Sequence, residues 1–493
     1  MECESVMLSH AGGSFSTIYR FRWVFCQLEA LQNCIPPNLR QYLNELPETL
    51  DETYDRILKG ISKSQKDNAH RLLQCLTVAV RPLLVEELAE LLAFDFQSSS
   101  GRIPTLKEDW RWDDEEEAVL STCSSLITII PRDDSRVVQF SHFSVKEYLT
   151  SSRLARSPHG DIARFRIDLE PAHTIMAQAC LATLLQLDEN AGSSDANMSP
   201  LVKYAARHWV DHAQFEKVSS RVRDGMDDLF DNSKPHFAVW LQIHNIDECW
   251  LNFSSYSEDS AGSPLYYAAF CGFYDLAERL VLKHPEQVNA RGGIIFSPLP
   301  AALCKGHFHV ANLLHRHGAV VDVQGIDKDT PLRAASCNGE IDIMRWLLDR
   351  DADANAQSIR GFTPLSGAAN AMQLEAAQVL LEHNADINLR DYKGRTPLYW
   401  ILAFCGDSEK LVDMMLRLLE HGADPNICED NQTTPLHEAS SRGLSEAARL
   451  LLRYGAKVDE KDGEGKTPFQ VAASNGHDEL KKVLVEHGAV SQS

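Results

Sequence analysis

Thr434-Pro435-Leu436 opens a unit that runs through Gly443 and Leu451-Leu452 and closes on Tyr454-Gly455-Ala456-Lys457. The opening tripeptide belongs to a series: Ser263-Pro264-Leu265, Ser297-Pro298-Leu299, Thr330-Pro331-Leu332, Thr363-Pro364-Leu365, Thr396-Pro397-Leu398 and a final variant, Thr467-Pro468-Phe469. From proline to proline the steps are 34, 33, 33, 33, 38 and 33 residues. Each part of the unit has a physical reason. Thr caps a short helix whose first turn holds the proline, where a missing N–H costs nothing. Alanine pairs such as Ala268-Ala269 and Ala472-Ala473 let neighbouring helices approach closely. A glycine eight residues after the proline (Gly272, Gly306, Gly339, Gly443, Gly476) ends that helix. A second helix carries paired leucines: Leu313-Leu314, Leu347-Leu348, Leu380-Leu381, Leu418-Leu419 and Leu451-Leu452. His421-Gly422-Ala423-Asp424 or a relative then closes the unit.

A period near 33 with this punctuation resembles the ankyrin repeat, and the resemblance implies a solenoid of seven repeats over residues 256–493 that holds other proteins. Three deviations carry expectations. The 38-residue step places five extra residues before Gly422, lengthening the junction around Cys405 to Lys410. Met372 stands where other repeats have the helix-ending glycine, and Asp351 and Asn384 stand where others have the glycine of the closing motif. Asn and Asp tolerate left-handed backbone better than other non-glycines. The last repeat exposes Asp478, Glu479, Lys481 and Lys482, as a terminal cap facing water should.

Composition bounds the rest. A chain of 493 residues is too long for one core and divides into two or three domains. Hydrophobic content of 44% and aromatic content of 8% fit globular protein. The net charge of -22, from 48 basic against 70 acidic residues, repels phosphate backbones and makes nucleic acid a poor partner. Twelve cysteines without a CxxC pair read as reduced thiols of an intracellular protein. Arg20 and Arg22 interrupt the apolar stretch Phe15 to Leu31, so no secretory pattern is expected, and nothing approaches a membrane span. These features predict a soluble protein of the cytoplasm, the nucleus or both.

Upstream of the repeats there is no period. Amphipathic patterns predict helices over Leu46 to Ile61, Asn68 to Val80 and Val85 to Ala93, the last two split at Arg81-Pro82. Leu126 to Ile130 and Val137 to Phe140 alternate like a hairpin around Pro131 to Ser135. Helices followed by a hairpin suggest a winged helix over 46–155, with a helical connector over 156–255.

Phe21-Arg22-Trp23-Val24-Phe25-Cys26-Gln27-Leu28, Leu46-Pro47-Glu48-Thr49-Leu50-Asp51-Glu52-Thr53-Tyr54 and Phe140-Ser141-His142-Phe143-Ser144-Val145-Lys146-Glu147-Tyr148-Leu149 resemble fungal NACHT–ankyrin proteins. There such segments form the tail of a nucleotide-binding module, then a winged helix of the GPI-inositol-deacylase type. Tyr204-Ala205-Ala206-Arg207-His208-Trp209 to Phe215 resembles the connector before the repeats. The resemblance implies a fungal, intracellular, signalling or regulatory protein, with residues 1–45 as the remnant of a NACHT-type tail. Only about twenty residues precede these segments, so the chain looks like the C-terminal part of that family without its NTPase.

Catalytic and cofactor chemistry finds little support. Gly465-Lys466-Thr467 has Glu460 where a P-loop needs glycine, and its Thr belongs to a repeat turn. Asp133-Asp134 reads as the turn of the wing rather than a magnesium site. His307, His309, His315 and His317 are close in sequence, yet His307 and His317 occupy repeat positions where they bond backbone. Ser141-His142 lies on a strand, where adjacent side chains point to opposite faces. The helix before the hairpin begins Asp113-Asp114-Glu115-Glu116-Glu117, carboxylates that a DNA phosphate would repel, and which also complement a helix N-terminus.

The expected fold is therefore mainly α: an ankyrin-repeat solenoid preceded by a winged-helix domain and a helical connector. The expected function is non-enzymatic. A protein partner is expected on the concave face, with no cofactor, metal, membrane, small-molecule substrate or direct nucleic-acid contact. Exposed tip positions hold Ile294, Phe296, Ile359, Arg360, Phe362, Tyr392 and Arg395, and positions on or near helix ends hold Phe270, Lys305, Phe404 and Arg442. Apolar groups and arginines at such positions have the composition of interface hot spots. Acting through them, the protein would serve as an adaptor, and in one role as a transcription co-regulator that binds a DNA-bound factor. A degenerate NACHT-type incompatibility receptor is the rival reading.

Overall fold

A computed structural model describes residues 49–96, 103–123, 125–132, 135–155, 160–187, 199–244, 246, 261–404, 406 and 408–490. The expected NACHT-type tail, and Leu46 to Glu48 of the first predicted helix, lie outside the described residues. The chain divides into two compact units, Met1–Ser254 and Ser255–Ser493.

In the first unit Thr49 starts α1 (Leu50–Gly60) with a reciprocal cap: its hydroxyl accepts the Glu52 N–H while the Glu52 carboxylate accepts that of Thr49. Next come α2 (Lys66–Val78), β1 (Leu83–Leu84), α3 (Val85–Leu92), the short pair β2 (Phe94–Asp95) and β3 (Thr105–Leu106), and α4 (Glu115–Cys123). The hairpin predicted from the alternating pattern is present as β4 (Ile127–Arg132) and β5 (Ser135–Phe140), antiparallel with Ile129 opposite Val138. β1 pairs with the other side of β5, giving the sheet order β1-β5-β4. α2, β1, α3, α4, β4 and β5, three helices and three strands in this order, make a winged helix.

Its buried carboxylates are engaged. Glu87 binds the Arg81 guanidinium and accepts the Leu84 N–H at 2.8 Å. Glu90 binds Arg111 and accepts the Ser199 hydroxyl. After α5 (Phe143–Thr150), α6 (Ser152–Ala155) and α7 (Gly160–Ala163), the long α8 (Leu169–Leu184) packs against both α2 and α9 (Val202–Ala213). α10 (Val218–Arg221), α11 (Arg223–Leu229) and α12 (His236–Ile243) complete the unit around Trp209, Phe230 and Trp240.

The second unit holds seven helix pairs in succession. They are α13 (Pro264–Phe270) with α14 (Tyr274–Lys283), α15 (Pro298–Cys304) with α16 (Phe308–Arg316), and α17 (Pro331–Asn338) with α18 (Ile341–Leu348). Then come α19 (Pro364–Asn370) with α20 (Leu374–Glu382), α21 (Pro397–Phe404) with α22 (Glu409–Glu420), α23 (Pro435–Arg442) with α24 (Ser445–Arg453), and α25 (Pro468–Ser474) with α26 (Asp478–Glu486). Proline occupies the first turn of each first helix, and the hydroxyls of Thr330, Thr363, Thr396, Thr434 and Thr467 accept an N–H three residues on. Most of these hydroxyls are buried, so losing one strands an N–H and costs about 1 kcal/mol. The non-glycines flagged in the sequence do take left-handed backbone: Met372 at φ 55, Asp351 at φ 62 and Asn384 at φ 61. The five extra residues lie ahead of and within α22, which has 12 residues against nine in α20 and α24; Cys405 and Asp407 lie outside the described residues.

Two sets of hydrogen bonds tie the pairs together, one joining the tips of repeats three to seven and one running along every junction. At the tips, backbone bonds run from Ile359 N to Asp327 O, Tyr392 N to Arg360 O, Asp430 N to Lys393 O, and Gly463 N to Asn431 O. On the other side of each tip a side-chain ladder does the same: Asn289, Asp322, Asn355, Asn388, Asn426 and Asp459 each accept a backbone N–H of the following repeat. Asn289, Asn388 and Asn426 also donate to the carbonyls of Gly318, Gly422 and Gly455. Asp322 cannot donate, and its buried Oδ1 has no hydrogen-bond partner. Burial raises its carboxyl above the ordinary aspartate range, against the bond from Asp353 N, which lowers it.

Asp322→Asn supplies the missing donor opposite Asp351, which stands where other repeats have Gly318 or Gly422. The raised folded value means that Asp322 favours the fold most when protonated and loses that contribution as pH rises through it. The variant is therefore expected to be more stable by about 1 kcal/mol at pH 7, with the gain shrinking toward pH ~4. Urea unfolding across that range checks this. Gly443 has φ 72, and a Cβ there would meet the His477 ring at 2.6 Å, whereas Gly476, at φ 78, has open space. Both Gly→Ala changes cost about 1–2 kcal/mol for the left-handed backbone. Gly443→Ala is expected to cost measurably more in the same assay.

Candidate protein-binding face

The tips and first helices of the repeats carry the predicted residues, and the tips of repeats five and seven are built the same way. In repeat five, Asp391 is 8% exposed, and its carboxylate accepts from Lys393 N at 2.9 Å and Arg395 N at 2.8 Å. Asp462 does the same for Glu464 N and Lys466 N in repeat seven. Gly361 must be glycine: its φ is 79, and a Cβ would meet Asp391 Cα and Tyr392 N of the next tip at 2.8 Å.

The second oxygen of Asp391 accepts the Trp400 indole N–H at 3.0 Å and fixes that ring. Phe362 of repeat four meets it edge-to-face at 4.8 Å, and Phe404 stacks on it at 4.4 Å. Phe404 itself is 57% exposed. The Arg395 guanidinium lies 5.2 Å from the Trp400 ring centre and pairs with Glu429 of repeat six at 3.0 Å, both side chains largely buried. Tyr399 donates to Glu438, and burial pushes the Glu438 carboxyl up, opposed chiefly by Arg442. Burial, with Glu438 and Glu429 beside it, also pushes the Tyr399 phenol up. Aromatic rings and a paired guanidinium thus form one continuous patch across repeats four to six.

The predicted residues divide accordingly. Ile359, Arg360, Tyr392 and Phe404 are exposed; Phe362 is half-buried within the aromatic patch. Ile294 is half-buried on its tip. Four expectations of free exposure are corrected. Phe270 is buried, stacked on Tyr266 and covered by the Lys305 ammonium at 4.6 Å, so Lys305, though exposed, is engaged across the first two repeats. Phe296 takes φ 70 and lays its ring against Gly325 of the next tip. Arg395 is held by its ion pair, and Arg442 reaches back to the Leu402 carbonyl of repeat five. The stripe expected over repeats two to five therefore concentrates on repeats four to six. Trp400, at its centre, was missed: it lies three residues after the proline, inside the helix, and only the carboxylate at Asp391 signals its orientation.

Other sequence candidates resolve into structural roles. Gly465 turns a tip at φ 80, and Thr467 caps α25. His307 packs its ring against Gly272, and His477 does so against Gly443. His142 bonds Ser144 rather than Ser141: its ring caps α5 and lies 2.6 Å from the Ser144 hydroxyl, which is buried against Tyr54. Asp114 caps α4 at Glu116 N and Glu117 N, so the acidic run completes a helix start.

The family model for ankyrin repeats matches residues 265–358, 350–427 and 401–492. The second unit is an array of ankyrin repeats. A model for the winged-helix domain of GPI inositol-deacylase matches residues 54–159. Over 291 residues the chain is 31% identical to the azaphilone pigments biosynthesis cluster protein L of Monascus ruber, covering 55% of this chain and 60% of that protein. The chain thus spans less than two thirds of the length of this curated relative. Ankyrin repeats support a role in protein interaction, and among the described residues no helix is long and apolar enough to cross a membrane.

Arg395→Met leaves Glu429 without its cation, and Glu429→Gln leaves Arg395 without its anion. Each is expected to destabilise the repeats by about 1–3 kcal/mol, and a double-mutant cycle should return a coupling near 1 kcal/mol or more. A coupling of only a few tenths would mean the pair behaves as an exposed one.

Proposed function

We propose that this chain is a non-enzymatic adaptor that holds a protein on the concave face made by the tips and first helices of its ankyrin repeats. The bound protein in this reading is a DNA-bound factor, and the chain acts as a transcription co-regulator in the cytoplasm, the nucleus or both. The observation that carries the reading is the Phe362–Trp400–Phe404 cluster, oriented by Asp391 and ending in an exposed ring. Fixed aromatic groups beside arginine anchor partners at low entropic cost. The net charge of -22 favours a protein partner over nucleic acid. No cofactor, membrane or small-molecule substrate enters the reading.

The test is affinity capture with the tagged full chain from native extract, proteins identified by mass spectrometry. Phe362→Ser, Trp400→Ser and Phe404→Ser together are expected to reduce recovery of the captured factor roughly tenfold or more, with helical content unchanged by circular dichroism. Full recovery by the triple variant overturns the surface. The winged-helix match also supports the second reading, a degenerate NACHT-type signalling receptor. Saturable binding of labelled ATP would favour that reading.

A further inference from the structure

The tips of repeats three, four and five each present an exposed basic side chain. They present Lys328, then Ile359 and Arg360, then Tyr392 and Lys393, all exposed. Among the described residues Lys328 and Arg360 have no ion pair, and Lys393 has only the ring of its neighbour Tyr392 at 5.8 Å. Several other basic side chains of the array are held in ion pairs: Arg333 binds Asp329, Arg390 faces Asp430, Arg395 binds Glu429, and Lys466 binds Glu464. The next tips are acidic or neutral, with Asp430 and Asn431, then Gly463 and Glu464. A chain of net charge -22 therefore carries exposed cations on three consecutive tips: Arg360 and Lys393 without an ion pair among the described residues, and Lys328 beside the exposed Asp327.

These cations are interleaved with apolar surface. Ile359 is 62% exposed, Tyr392 60% and Phe404 57%. The tips are fixed in register by the backbone bonds Ile359 N to Asp327 O and Tyr392 N to Arg360 O, so the pattern is rigid before anything binds. Packed helices repeat at about 10 Å, and an extended peptide rises about 3.3 Å per residue. One peptide side chain in three would face each tip.

We propose that this ridge binds an extended acidic segment carrying aromatic or aliphatic side chains, its carboxylates meeting Lys328, Arg360 and Lys393 and its apolar groups meeting Ile359, Tyr392 and Phe404. The inference rests on the adaptor reading and names the chemistry of the partner. Three cations spread over three tips, with apolar groups between, match alternating acidic and apolar side chains. A continuous phosphate backbone would leave Ile359 and Tyr392 unused.

The experiment uses the full chain and a fluorescein-labelled peptide of about twelve residues repeating Glu-Phe-Ser, followed by anisotropy. Binding is expected at low salt, weakening as salt rises. R360E/K393E is expected to weaken it roughly tenfold or more. Both residues are exposed, and circular dichroism verifies the fold. The matching Lys-Phe-Ser peptide should not bind, and Glu-Ser-Ser should bind more weakly than Glu-Phe-Ser. Equal binding of the acidic and basic peptides, no change in R360E/K393E, or tighter binding of a single-stranded oligonucleotide would each overturn the proposal. If the peptide fails while capture still depends on Phe362, Trp400 and Phe404, the ridge assignment falls and the adaptor reading stands. If both fail, both fall.

Discussion

A single ankyrin repeat cannot satisfy its own polar groups, and that constraint organises the whole second unit. The N–H groups of Val320, Asp353, Asp386, Asp424, Lys457 and Val490 all find their acceptors in a side chain of the preceding repeat. The tips add backbone bonds from repeat to repeat. Both ladders demand that a residue recur at one register, so the spacing of 33 is a hydrogen-bonding requirement as much as a packing one. The stability of such an array is a sum of repeat and interface terms, and each rung belongs to the interface.

The five-residue insertion shows how strictly the register is kept. The step from Asn388 to Asn426 is 38 residues, yet Asn388 still accepts Asp424 N, and Lys393 still accepts Asp430 N. The surplus is absorbed between the rungs, where α22 is longer than its counterparts. A helix can lengthen away from the tips, since its added residues satisfy their own backbone groups. A tip cannot, because its N–H groups belong to its neighbour.

Much of this was legible because the repeat residues act locally. A Thr-Pro pair sets a cap, a glycine sets a left-handed turn, and each can be read without knowing what lies opposite. Asp351 and Asn384 were readable as left-handed for the same reason. The ladder residues were equally periodic but went unread, because Asn and Asp after the closing motif look like loop composition until an N–H is placed beside them. The face failed differently. Exposure at a tip or helix end depends on the residue one repeat away, so Phe270 is covered by Lys305 and Phe296 by the tip at Gly325. Sequence position gives the address, and the neighbour decides whether it is occupied.

That dependence also explains where the array's usable chemistry sits. At the N-terminal end the large side chains turn inward onto the following repeat, and at the C-terminal end the tips are capped by their own acids, Asp462 accepting two N–H groups and Glu464 binding Lys466. In the middle, Ile359, Tyr392 and Phe404 stay exposed. The first helix of repeat four ends at Asn370, and its Gly367 offers no side chain, since a Cβ there would meet Cys337 Sγ at 2.7 Å. The aromatic cluster of repeats four and five lies beside this pared-down first helix and ends in the exposed Phe404 ring. A binding face of this kind is made as much by the small residues of one repeat as by the large residues of the next.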